Sequence, residues 1–195
     1  MDVTYRQGIK KDCNVLAEFI SIASDGIIDF MFHDLIPGAT PVQIIAHNSK
    51  NSDYPRSYKN AIIAECENKV VGMALSIPSQ FHKITKEMKK FFPADRMEHL
   101  KHFFSARVDN SLLLDTLCVD EKYRGKGIGA ELISLTKKKA NAADYNILSL
   151  IVLADNKNAQ RLYWRFGFEL VQNVELKSHA LFPHEGGCLL IKCEV

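Results

Sequence analysis

Apolar positions along the 195-residue chain recur with two different periods, and the places where the period changes divide the chain into strands and helices. Residues 2–6 read as a first strand. Leu16, Phe19, Ile20 and Ala23 then fall on one face at 3.6 spacing, which predicts a helix capped by Asp12 and ended by Gly26. Residues 27–58 are less regular. Pro37, Gly38 and Pro41 interrupt them, Val42 to Ala46 is a short apolar-periodic piece, and the polar run HNSKNSDYPRSYKN follows, so this stretch reads as a helix and then a long loop. Ala61 to Glu65 and Val70 to Ile77 are strand patterns joined by the turn-like Glu67-Asn68-Lys69, which predicts a hairpin ended by Pro78.

Residues 83–104 have helical spacing with a break at Pro93. Leu112 to Val119 and Ile147 to Leu153 are nearly continuous apolar runs of the kind buried on both faces of a sheet, and a helix of roughly 127–142 lies between them. A further helix, 157–166, carries Ala159, Leu162, Tyr163 and Phe166 and is closed by Gly167; Phe168 to Leu176 and Cys188 to Val195 supply the last strands. Alternation of this kind predicts an α/β or α+β layer structure. At about 100–200 residues per domain, the length fits a single domain, 1–195, with residues 78–105 as a helical insertion.

Composition narrows the classes. With 47% hydrophobic and 25% charged residues the chain can bury a core, which excludes collagen-like, disordered and low-complexity proteins. The formal charge of +2 lacks the basic surplus of a dedicated nucleic-acid binder. The N-terminus has no apolar signal core and no run of about 18 apolar residues occurs, so a cytoplasmic protein without membrane association is expected. The 5 cysteines form an odd, scattered set without C-x-x-C, which reads as reduced buried thiols.

The candidate chemistry lies in LLLDTLCVDEKYRGKGIGAELISLTKKKA, where an apolar strand runs through a polar loop into Gly125, Gly127 and Gly129 and then into an amphipathic helix. Glycines at a helix start let a ligand approach the backbone, and the first-turn N–H groups and helix dipole favour a phosphate. A P-loop is excluded because Lys126 is followed by Gly127 and not by a hydroxyl residue. Gly125-x-Gly127-x-x-Ala130 matches a dinucleotide fingerprint literally, but the glycines start six residues after Val119 and no acidic residue closes a second strand about 20 residues on.

The third pattern, R-x-x-G-x-G at Arg124, Gly127 and Gly129, resembles the GNAT superfamily of acyl-CoA-dependent N-acetyltransferases. Leu117 and Val119 stand where that family has L-x-V on its fourth strand, and Asn156-x-x-Ala159-x-x-x-Tyr163-x-x-x-Gly167-Phe168 is similar to its second signature. Glu121 replaces a frequent proline at a surface turn. The resemblance covers nearly the whole chain. It implies a mixed central sheet of about six to seven strands with helices on both faces, acetyl-CoA as acyl donor, an amine acceptor and no metal. It also implies that Leu117, Cys118, Val119, Arg124, Gly125, Lys126, Gly127, Ile128, Gly129, Ala130, Asn156 and Ala159 contact the cofactor. Asn156 would hold the pantetheine arm, a backbone N–H of strand 112–119 would polarise the thioester, and Tyr163 would protonate the departing thiolate. No nucleic acid or membrane partner is implied, and a homodimer is left open.

An alkylamine of pKa about 10 is less than about 1% neutral at pH 7, so the acceptor needs a base or a water chain. Asp115, on the strand face of Leu117 and Val119, is the first carboxylate to consider, and a partly solvated structural charge is its other reading. A core aromatic is the other reading of Tyr163, outweighed by its place within the matched motif. Lys137, Lys138 and Lys139 read as a solvated helix face. His99 and His102 have metal-ligand spacing without a third ligand. The apolar face of 83–104, including Phe91, and the loop with Phe30, Phe32, His33 and Asp34 are candidate walls of an acceptor cleft, against the plainer reading of core packing. A non-catalytic acyl-CoA-binding or sensing module is the alternative function.

Overall fold

Both periods are satisfied in the core that organises the first part of the chain. Leu16, Ala17, Phe19 and Ile20 of one helix pack with Ile45 and Ala46 of another, with Ala61, Ile63, Met73 and Leu75 of two strands, and with Cys118. The structure is a computed structural model describing residues 2–195. Chain contacts divide it into two compact units, one formed by residues up to Ile77 with Leu114–Lys139, the other by Pro78–Leu113 with Ala140–Val195.

In the first unit, β1 (Thr4–Gln7) pairs antiparallel with β2 (Ala61–Cys66), which forms the expected hairpin with β3 (Lys69–Pro78). The two-residue turn has positive φ at both Glu67 (49°) and Asn68 (61°), the handedness that matches twisted strands. Helices α1 (Cys13–Ser24), α2 (Ile27–Phe32) and α3 (Pro41–Ser49) lie between β1 and β2 in the chain. Thr40 and Gln43 cap α3 reciprocally and Pro41 opens it, so this proline starts a helix.

Three expectations are corrected here. Asp12 stands at the N-cap of α1, but its side chain makes no cap bond: its carboxylate accepts from Arg6 at 2.7 and 3.1 Å and from the Ile9 N–H at 2.8 Å. A charge-assisted fork outweighs a single cap bond. Gly26 (φ 94°) does not end α1, which closes on left-handed Asp25 (φ 47°); Gly26 instead opens α2. Residues 27–32, expected to be irregular, are helical, with Phe30 and Phe32 buried.

β4 (Leu112–Val119) begins in the second unit, where it is parallel to β5 (Ile147–Leu153) at Leu112↔Leu148 and Leu113↔Ser149, and belongs to the first from Leu114 on. β5 pairs antiparallel with β7 (Cys188–Glu194), and β7 with β6 (Glu169–Val174). The strand order of this seven-stranded mixed sheet is β1-β2-β3-β4-β5-β7-β6. The helical stretch before β4 is broken at Pro93 as expected and again at Leu100, giving α4 (Lys86–Phe91), α5 (Ala94–His99) and α6 (Lys101–Ser105). Phe92, Met97, Leu100 and Phe104 are buried, so part of its apolar face is core. Helices α7 (Ile128–Ala142) and α8 (Lys157–Arg165) complete the set. Among the described residues no helix is long and apolar enough to cross a membrane.

The solvated lysine face is also corrected at one position. Lys139 turns inward, and its Nζ donates to the Asn60 carbonyl (2.8 Å) and the Ser76 hydroxyl (2.9 Å). Burial pushes its amine down to about 8 from an ordinary 10.5. The folded chain therefore gives up this proton at lower pH than the unfolded chain, and the cost of the buried charge disappears as pH rises from about 8. The difference in thermal midpoint, wild type minus Lys139→Met, is expected to grow between pH 8 and pH 10; a difference constant with pH would contradict it.

Candidate active site

The site begins in the alternation of β4. Leu114, Thr116 and Cys118 are buried, whereas Asp115, Leu117 and Val119 share the half-buried face. Beyond the strand the chain is held by its own polar groups. The Asp120 N–H donates to the Val71 carbonyl (2.9 Å), its carboxylate accepts from the Lys122 N–H (3.0 Å) and Lys69 (3.2 Å), and Arg124 Nε returns to the Val119 carbonyl (3.0 Å). Lys126 lies over the Tyr123 ring at 5.1 Å.

On this fixed loop Gly125 (φ 74°) and Gly127 (φ 84°) both adopt left-handed conformations that a side chain would strain, and a Cβ at either would meet nothing within 4 Å. The space above them is open. The first intrahelical bond of α7 runs from the Glu131 N–H to the Gly127 carbonyl (3.0 Å), so the N–H groups of Ile128, Gly129 and Ala130 precede the helix's own bonding. Arg124, Gly125, Lys126 and Gly127 are exposed, and Ile128 anchors the turn in the core. Bare amides, a helix start and two cations make a receptor for a phosphate or pyrophosphate.

Asp115 is not available as a free carboxylate. Arg56 Nε donates to both of its oxygens at 3.1 Å and Nη2 to Oδ1 at 2.7 Å, with side-chain exposures of 25% and 12%. Burial would lower the Arg56 guanidinium, but the Asp115 charge and the hydrogen bonds to it raise it above its ordinary value. Asp115 is therefore ion-paired on the half-buried face of β4. Arg56 was missed in the sequence, where the only hint was an acid inside the apolar run LLLDTLCV that had to find a partner. Burial pushes the Cys118 thiol up to about 11, so it is not a nucleophile at neutral pH.

The second unit carries the other signature. Asn156 is the N-cap of α8, its Oδ1 accepting from the Ala159 N–H at 3.1 Å, which leaves its amide nitrogen for a ligand. Tyr163 is buried, with its ring 5.6 Å from that of Phe168, and the turn is closed by Gly167 (φ 77°). Burial raises the phenol above its ordinary value, so it keeps its proton at neutral pH. Of the acceptor-side candidates, Phe32 is buried in α2, His33 Nδ1 lies 2.9 Å from Asp34 Oδ2, and the Asp34 side chain is 90% exposed. Phe91, in the other unit, is 52% exposed beside buried Phe92. His99 bonds the Lys177 carbonyl at 2.9 Å, and among the described residues no cluster of three or more His, Cys, Asp or Glu is arranged for a metal ion.

Comparison with known proteins agrees with these features. A spermine/spermidine N(1)-acetyltransferase of Bacillus subtilis (strain 168) is 30% identical over 73 residues, 37% of this chain and 48% of that protein, so the match spans about half of the relative. An N-acetyltransferase from Staphylococcus aureus Mu50 superposes with a TM-score of 0.70 at 19% identity, over 98% of this chain and 100% of that one. The PaiA N-acetyltransferase from Thermoplasma acidophilum, solved in complex with coenzyme A, does so with a TM-score of 0.59 at 13% identity over 100% of both chains. At these identities the superpositions establish the fold. Residues 29–168, most of the chain, match the family described as Acetyltransferase (GNAT) family, and the protein belongs to that family.

Proposed function

We propose that the protein is an N-acetyltransferase that moves the acetyl group of acetyl-CoA directly to a primary amine of a small molecule or peptide. The observation that carries this reading is the loop of Gly125 and Gly127, left-handed, open above the backbone and placed at the start of a 15-residue helix. Its amides at residues 128–130, with Arg124 and Lys126 beside them, would hold the cofactor pyrophosphate. Acetyl-CoA supplies an activated thioester; the chain supplies binding, orientation and protons.

A backbone N–H on the Leu117–Val119 stretch would polarise the thioester carbonyl and stabilise the oxyanion. As the amine nitrogen bonds to the carbonyl carbon and the carbon–sulfur bond breaks, Tyr163 would give its proton to the thiolate. The proton of the acceptor ammonium has to leave through water, because Asp115 is occupied by Arg56. No covalent enzyme intermediate is required, in keeping with the raised Cys118 thiol. Retention of Tyr163 favours catalysis over a cofactor-sensing module. His33, Asp34 and Phe91 remain acceptor-side candidates, and polyamines are the first acceptors to try because the partial Bacillus subtilis relative is named for them.

A panel of polyamines, amino acids, aminoglycosides and peptide N-termini is expected to contain an amine that releases CoA from acetyl-CoA; binding without turnover across such a panel would favour the sensing module. Gly127→Glu should abolish acetyl-CoA binding in calorimetric titration, since it adds bulk, charge and strain at φ 84°. Wild-type affinity in a folded variant would refute the site. Tyr163→Phe is expected to lower kcat by roughly 10²–10⁴-fold with acetyl-CoA affinity nearly intact, the usual worth of a general acid. An unchanged kcat would remove Tyr163 from the proton path.

A further inference from the structure

Arg56 belongs to no signature, yet it makes three hydrogen bonds to one carboxylate on the strand assigned to the thioester. Its loop is rigid. The Tyr54 N–H donates to the Asn51 carbonyl (3.1 Å), the Ser57 N–H to the Tyr54 carbonyl (2.9 Å), and Asn60 Nδ2 to the Pro55 carbonyl (2.8 Å), while Ser57 is fully buried. The guanidinium is thus presented from a hydrogen-bonded platform. Its target stands two positions before Leu117 and four before Val119 on the same half-buried face. The Thr116 hydroxyl also approaches Asp115 Oδ2, at 3.4 Å.

A bidentate fork differs from a point charge in fixing orientation as well as distance. Asp115 anchored in this way cannot swing toward a substrate, and the backbone on which it sits cannot twist independently of the loop. Displacement of a donor by about 1 Å is enough to cost roughly 10²-fold in rate, so such a brace acts on chemistry without touching it. Resting on the acetyltransferase reading above, we propose that Arg56 is a positioning residue: by locking both oxygens of Asp115 it holds the Leu117–Val119 face of β4 in register for the thioester and takes Asp115 out of service as a base.

The test compares Arg56→Gln, Asp115→Asn, the double variant and Arg56→Lys in the full chain. It uses amide hydrogen exchange at residues 115–119 and steady-state kinetics with an amine from the panel. Either single change is expected to speed exchange in that segment about tenfold or more. Each should lower kcat roughly 10–100-fold with the KM for acetyl-CoA within about twofold, and the double variant should be no worse than the poorer single one. Arg56→Lys, which keeps the charge without the fork, should restore part of the rate. If Asp115→Asn abolishes kcat and its pH-dependent limb while Arg56→Gln keeps wild-type kcat and exchange, Asp115 is the base and the proposal falls. It falls equally if both single variants lose thermal stability with kcat per folded molecule unchanged. Should the wild type acetylate no amine, the acetyltransferase reading fails by itself, and exchange decides the brace: unchanged protection in Arg56→Gln overturns it.

Discussion

The site depends on keeping backbone bare where β4 passes into α7. A helix start normally hides its unpaired amides under a capping side chain or water. Here two residues with positive φ, Gly125 and Gly127, carry the chain into the helix with nothing above them, while Ile128 sinks into the core and fixes the direction of the first turn. The loop before them is held by Asp120, Lys69 and Arg124, so the amides are presented from a scaffold that is already ordered. Preorganisation of this kind removes the entropic cost of arranging donors around a charged ligand.

Buried charge is handled by a second device, in which Asp12, Glu65 and Asp115 are matched to guanidinium groups. Arg6 bridges Asp12 and Glu65, joining the entrance of α1 to β2, and Arg56 clamps Asp115 on β4. These pairs are more than surface decoration because their carboxylates are largely shielded from water, and removing one partner would leave an uncompensated charge. Lys139 is the exception, held by a carbonyl and a hydroxyl with its amine pushed down to about 8. Burial likewise raises the Cys118 thiol and the Tyr163 phenol, which keeps both protonated at neutral pH.

Local pattern determined a good deal. The spans of β4 and β5 were legible to the residue because a nearly continuous apolar run between polar ends suits a strand buried on both faces, and the glycine loop was legible because glycine takes those dihedrals without strain. The matched signatures were sufficient to name a family. What tertiary structure decided were the partners of side chains whose neighbours lie far along the chain. The Asp12 carboxylate was drawn from the amides of α1 by Arg6, and Asp115 found its ion-pair partner in Arg56, 59 residues away. Lys139 was turned inward by carbonyl and hydroxyl oxygens 79 and 63 residues distant. Spacing along a sequence reports periodicity and dihedral demand, both of which are local; the charge, burial and hydrogen-bond partners of a side chain depend on segments brought together only by folding.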